Sequence, residues 1–205
     1  MASRIEGLDE KIIECAKQEF YQKGFADASL RAIALNAGTS TSAIYIRYAD
    51  KEKMFRALIE PALTGIKDLL EASLTRFTAM DSEVKKSSFG EISDEGFPAF
   101  VEYIYNYFEE FKLLIVCSPG TMYQDFLEEL TEIDTRHTVE FLKLTDPGAF
   151  NSGKIKEGFV HVVSSAFYAG VFEVVHHNMT REEADDYINQ LRRFYNSGWK
   201  DIFDI

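Results

Sequence analysis

Apolar residues recur three or four positions apart along most of the chain. No stretch alternates apolar and polar residues long enough to need a sheet. The pattern therefore predicts an all-α protein. Leu8, Ile12, Ala16 and Phe20 step along one face, with Ile13 beside them, and predict a first helix from Asp9 to Lys23. Asp9 and Glu10 suit its positive end, and Gly24 is placed to cap it in a left-handed conformation. Ser29 can cap a short second helix through Asn36. Gly38 then makes a tight turn, and a third short helix follows over Thr41–Tyr48. Asp50 should cap a long fourth helix reaching about Phe77, with Pro61 as a kink or a break.

Further along, residues 78–96 are rich in Ser, Asp, Glu and Gly and read as a loop. Pro98 fits the first turn of a helix through Phe111. A short apolar piece, Leu113 to Cys117, is closed by Ser118-Pro119-Gly120. A long helix is expected over Met122–Leu144, a turn at Asp146-Pro147-Gly148, and another helix over Lys154–His177. Thr180 and Glu183 have the spacing of a capping box for a last helix ending near Ile202.

The stretch from Ser29 to Lys51 narrows the function. Two short helices flank a turn at Gly38, with Ile33, Ala34 and Ala37 facing inward and Ile44 and Tyr48 forming the apolar side of the second helix. Thr41, Ser42, Ala43, Tyr45 and Arg47 are left to face outward. This is helix-turn-helix spacing, in which the second helix enters the major groove of duplex DNA. Ser and Thr hydroxyls reach phosphates or base edges, Arg bridges two guanine acceptors, and a small alanine touches a thymine methyl. Lys51 stands where a cation and free helix-start amides can hold phosphate.

Residues from about Ile12 to Leu58 resemble the DNA-binding domain of the TetR family of bacterial transcription regulators. Phe20, Gly24-Phe25, Ser29, Ile33-Ala34, Ala37-Gly38, Ser40, Tyr45, Tyr48 and Lys51 carry the likeness. The resemblance implies an N-terminal three-helix helix-turn-helix domain over 1–50. A helical effector-binding and dimerisation domain would follow over 51–205. It implies that Ser29 touches phosphate and Arg31 reaches a base. Thr41, Ser42, Ala43 and Arg47 would face the groove, and Tyr45 and Lys51 would clamp the backbone. The implied partners are a double-stranded DNA operator, a second copy of the chain and a small-molecule effector. Thr39, Ser42 and the Ile46-Arg47 pair depart from the family's usual residues, which bears on the operator sequence. Tyr45 is open to a core role as well, and Ser29 to that of a helix cap.

Charge fits this division. Residues 1–55 hold eight basic and eight acidic side chains, and the whole chain's net −12 falls on the remainder. A polyanion is tolerated by the first part and repelled by the second. With one basic residue in its recognition helix, a single head should bind weakly, so two heads reading a palindrome are expected.

For the body, Ala166, Ala169 and Gly170 permit close packing across a two-fold axis. Phe194, Tyr195, Trp199 and Phe203 suit either a shared four-helix interface or the chain's own core. Aromatic residues crowd the stretch from Phe97 to Phe111. Phe100, Tyr103 and Tyr107 from this stretch, with Tyr123, Phe126, Phe167 and Phe172 from later ones, are candidate ligand contacts for an apolar or aromatic effector. Glu173, in an otherwise apolar helix, suits a cationic ligand or an acid paired across a dimer, with Glu102 and Asp125 as further acids near the rings. Cys117 is expected as a buried thiol rather than an oxidation switch. His137, His161, His176 and His177 lack metal-site spacing, so no metal or cofactor is expected. No phosphate loop, nucleophile elbow or carboxylate pair nominates an enzyme. The N-terminus lacks a signal peptide's apolar stretch and no 18-residue apolar run occurs, so a cytoplasmic protein without a membrane span is expected. The competing reading is a helical small-molecule-binding or interaction protein that does not bind DNA.

Overall fold

The computed structural model describes residues 7–78, 89–145 and 147–203. Ten α-helices and one π-helical turn are described, and no strand occurs among these residues. The helices are α1 (Leu8–Asp27), α2 (Leu30–Asn36), α3 (Thr41–Arg47), α4 (Lys51–Thr78), α5 (Phe89–Asn106) and α6 (Phe108–Lys112). After the π-turn Leu113–Cys117 come α7 (Phe126–Thr145), α8 (Pro147–Asn151), α9 (Glu157–His176) and α10 (Arg181–Phe203).

The helix ends follow local chemistry. Gly24, at φ 69° and ψ 175°, interrupts regular winding after Lys23, and one more turn carries α1 to Asp27. Ser29 caps α2 and Ser40 caps α3, each accepting from the amide three residues on. Thr180 and Glu183 form a reciprocal capping box: the Thr180 amide donates to Glu183 Oε2 at 2.8 Å, and the Glu183 amide donates to Thr180 Oγ1 at 3.3 Å.

Four expectations need correction or narrowing. Helix α4 runs through Pro61 without a break, which leaves the kink of the two readings. Proline removes one backbone bond, to Ala57, but Pro61 and Ala57 are both exposed, so water can satisfy the freed carbonyl. Helix α5 begins at Phe89, so part of the stretch read as a loop is helical and Pro98 sits inside the helix rather than in its first turn; residues 79–88 lie outside the described residues. The same helix stops at Asn106, because Tyr107 (φ −124°, ψ 35°) leaves helical geometry before α6 starts. Pro147-Gly148, expected in a turn, opens the short helix α8, where proline suits the first position; Asp146 is outside the described residues.

The described residues group into two compact units, 7–63 with Tyr107–Gln124, and 64–106 with 125–203. The first is built on Ile12, Ala16, Phe20, Ile33, Ile44, Met54 and Phe55, all fully buried, with Phe111 and Leu113 from the later segment. Phe20, Phe25 and Phe55 form a ring cluster with centroids 5.1–6.0 Å apart. Lys17 pairs with Glu110 at 2.7 Å, fastening α1 to α6. Cys117, beyond α6, is buried in this unit, and burial pushes its thiol pKa up, as an unreactive thiol requires.

The second unit is organised by α7 against α9. Helix α9 is long and apolar enough to cross a membrane by length and composition alone. One face explains part of that: Val160, Ser164, Tyr168, Val171, Phe172 and Val175 are buried in the unit. Val162, Ala166 and Ala169, on other faces, are exposed.

Candidate functional site

Helices α2 and α3 meet through a turn in which Gly38 takes φ 70°, a value that glycine adopts without strain. Ile33, Ala34 and Ala37 are buried, as their inward assignment requires, and Ile44 anchors α3 beneath its exposed face. Ser42, Tyr45 and Arg47 are exposed, and Thr41 and Ala43 are half-exposed. All five residues expected to face DNA thus have accessible surface on α3. Tyr45 is 53% exposed, so it is not a core tyrosine. Ile46, at 83%, is the most exposed apolar residue of the segment; its departure from the family's usual residue shows in the sequence, but its exposure does not, because an isoleucine reads as core.

Ser29 works as a cap, and its own amide donates to Glu19 Oε1 at 3.0 Å. Glu19 is only 4% exposed and is also bound by Lys23 Nζ at 2.7 Å. Burial opposes its charge, but the bonds from Lys23 and the Ser29 amide outweigh it and hold the carboxyl below its ordinary range. This buried acid fixes the entry to α2, and periodicity alone gives no sign of it.

Arg47 is anchored at two points. Its Nε donates to Asp9 Oδ1 at 2.5 Å and its Nη1 to the Ala43 carbonyl at 2.9 Å. Lys51 is anchored at three: its ammonium donates to the carbonyls of Phe25, Ala26 and Ala28 at 2.6, 2.9 and 3.1 Å and lies 4.5 Å from the centre of the Phe25 ring. Those bonds use all three ammonium protons, so Lys51 locks the end of α1 to the start of α4. Arg31 is exposed on α2. Lys11, not nominated from sequence, is exposed with its ammonium beside the α2–α3 turn; a methyl group added to Gly38 would meet Lys11 Nζ at 3.7 Å.

The second unit contains a cavity of about 190 Å³ lined from α4, α5, α7, α9 and α10. A single water needs roughly 10–15 Å³ on this measure, so a small organic molecule fits. Of the residues nominated from sequence as ligand contacts, Phe100 and Phe167 line it. Tyr103 lies elsewhere in the unit, its ring against Gly65. Phe126 and Phe172 are core residues in edge contact, with centroids 5.6 Å apart. Glu173 faces His177 at 2.9 Å rather than the cavity. Tyr107 and Tyr123 belong to the first unit. The cavity's polar residues include Asp134, His137, Ser164, Tyr168 and Arg192. Ser164 Oγ donates to Asp134 Oδ2 at 2.5 Å. Burial pushes the Asp134 carboxyl above its usual range, against the bonds from Ser164 and Tyr168 and the nearby His137.

An all-helical chain with an N-terminal helix-turn-helix whose second helix is exposed has the architecture of a DNA-binding transcription regulator. Residues 12–58 match the family described as "Bacterial regulatory proteins, tetR family". Two solved structures share the chain's fold. One, from Mesorhizobium loti, bears the description of a TetR-family transcriptional regulator; it is 16% identical, with 95% of this chain and 98% of that one covered and a TM-score of 0.52. The other is the TetR-family transcriptional regulator PfmR from Thermus thermophilus, 20% identical, with 89% and 97% covered and a TM-score of 0.53. No curated protein matches the chain.

Proposed function

We propose that the protein is a repressor that binds a palindromic operator as a homodimer and leaves it when a small molecule enters the body. Residues 1–50 would read DNA, and 51–205 would bind the effector and dimerise. The observation that carries the reading is α3 itself: Ser40 caps it, Ile44 roots it, and Thr41, Ser42, Ala43, Tyr45 and Arg47 lie on its accessible surface. Arg47 keeps Nη2 and part of Nη1 for a guanine edge. Lys11, Arg31 and the amides at the start of α4 would take phosphates. Lys51 would act by holding α4 in place, because its own donors are committed.

Dimerisation is supported by an apolar groove along α9 and α10, lined by Val162, Ala166, Phe194, Gly198 and Ile202. Val162 and Phe194 are 63% and 75% exposed, costly in a monomer and natural at a shared four-helix interface. Ligand response is supported by α4, which begins directly after the recognition helix and later supplies Leu69, Leu70, Ser73 and Leu74 to the cavity wall. An occupant pressing on those residues would bias the helix that follows the DNA-reading element, and a few kcal/mol of differential affinity suffices to shift most of the population. The role is binding rather than catalysis, in the cytoplasm. Titration of duplex DNA at increasing salt tests the DNA half: affinity should fall steeply as phosphate counterions are released. A flat response contradicts it.

A further inference from the structure

The cavity wall has two chemically distinct regions. One is aromatic, with Phe97, Phe100, Phe141, Phe167, Tyr195 and Trp199. The other is a polar cluster of Asp134 on α7 and Ser164 and Tyr168 on α9. Ser164 Oγ donates to Asp134 Oδ2 at 2.5 Å, and the Tyr168 hydroxyl donates to the same carboxyl. A hydroxyl has one proton to give. Both hydroxyls have given theirs to Asp134, so with the carboxyl ionised the cluster can offer an occupant only lone pairs.

His137 lies on the same wall. Its Nε2 lies 2.9 Å from Glu71 Oε2. The bond from His137, with help from Arg136, holds the Glu71 carboxyl below its usual range and therefore anionic. His137 also acts on Asp134 electrostatically, opposing the effect of burial on that carboxyl. The His137 Nδ1 is buried and has no hydrogen-bond partner among the described residues. Asp134, Ser164 and Tyr168 thus make a pole of acceptors within aromatic walls. An occupant without donors would strip water from these acceptors and give nothing back. A protonated nitrogen would meet the carboxylate with charge-assisted bonds while ring faces receive its apolar body. Arg192 also lines the cavity, over the Phe97 ring at 5.4 Å, and the charge that acts on Asp134 comes from His137.

We propose that the cavity takes a small aromatic or apolar molecule bearing a protonated amine, with the amine seated at Asp134, Ser164 and Tyr168. This rests on the reading of the cavity as the effector site. The test is calorimetric titration of the full-length protein at neutral pH with phenylbutylamine, phenylbutanol and phenylbutanoate, three probes of one size. The amine should bind at least about tenfold more tightly than the other two. Asp134→Asn should bring the amine down to the level of the alcohol. Tighter binding of the carboxylate would overturn the proposal and make Arg192 the anchor. An amine preference that survives in Asp134→Asn would overturn it as well. Binding of none of the three, by protein that still binds DNA, would overturn both the proposal and the cavity as an effector site. Amine binding that leaves the DNA complex intact would uphold the proposal and count against ligand release alone.

Discussion

Asp9, at the start of α1, holds the Arg47 guanidinium by its Nε at 2.5 Å, while the Ala43 carbonyl takes one proton of Nη1. A carboxylate on the Nε side restrains a long side chain and leaves the Nη edge for a base. The recognition helix has no other basic residue. Arg47→Ala should therefore weaken binding to the cognate site by about 1–3 kcal/mol and relax selectivity at one base position. Asp9→Asn should act with opposite signs on two sequences. It removes an acid from the DNA-facing domain, so affinity for unrelated DNA should rise, while preference for the cognate site falls. Competition binding with cognate and scrambled duplexes measures both. Tighter cognate binding by Asp9→Asn, with selectivity unchanged, would mean that Asp9 sequesters Arg47 instead of aiming it.

Lys51 is predicted to matter for folding as much as for DNA. Its three carbonyl bonds and its position over Phe25 are lost together in Lys51→Met, which keeps most of the stem. Chemical denaturation should show a loss of about 1–3 kcal/mol. Unchanged stability with weakened binding to all DNA would restore Lys51 to a phosphate contact.

Two enclosed acids should respond to pH in opposite directions. The Glu19 carboxyl is held below its ordinary 4.5, so its contribution is complete above that pH and is lost as pH falls through the folded value. Glu19→Gln should cost about 1–3 kcal/mol at neutral pH, with the gap to wild type closing on acidification. The Asp134 carboxyl is raised above its ordinary 3.8, so its contribution is complete below that pH and is lost as pH rises through the folded value. Asp134→Asn should therefore be more stable than wild type at neutral pH and lose that advantage in acid. Thermal melts across pH check both signs.

Phe194→Glu places a charge in the apolar groove of α9 and α10. Sedimentation should find a monomer with unchanged helical content, and the variant should lose tight operator binding because a lone head reads half a site. A dimeric Phe194→Glu protein would move the interface elsewhere.

The helix-turn-helix is legible in the sequence because its determinants are local. Ser29 and Ser40 cap the helix that follows each, Gly38 takes the positive φ its turn needs, and Ile33, Ala34 and Ile44 step inward at helical spacing. The start of α5 is hidden because Ser, Asp, Glu and Gly dominate the stretch before Pro98. Only an apolar spacing carried by Phe89, Ile92 and Phe97 marks it as helix. The cavity is half legible. Its aromatic character shows, but the break at Tyr107 divides the aromatic stretch between the two units. Asp134 escapes for a different reason. Among Glu128, Glu129 and Glu132 it reads as one more solvated acid, and only Ser164 and Tyr168, thirty or more residues away, make it part of an enclosed site.

Whether the protein reads a two-fold DNA site as a dimer can be decided by selection from random duplexes on the purified protein at moderate salt. A palindromic consensus should be recovered, with half-sites one helical turn, about 10 base pairs, or a multiple of that apart. Failure to enrich any sequence, by protein that is folded, dimeric and free of retained ligand, would show that the exposed face of α3 does not serve to read DNA.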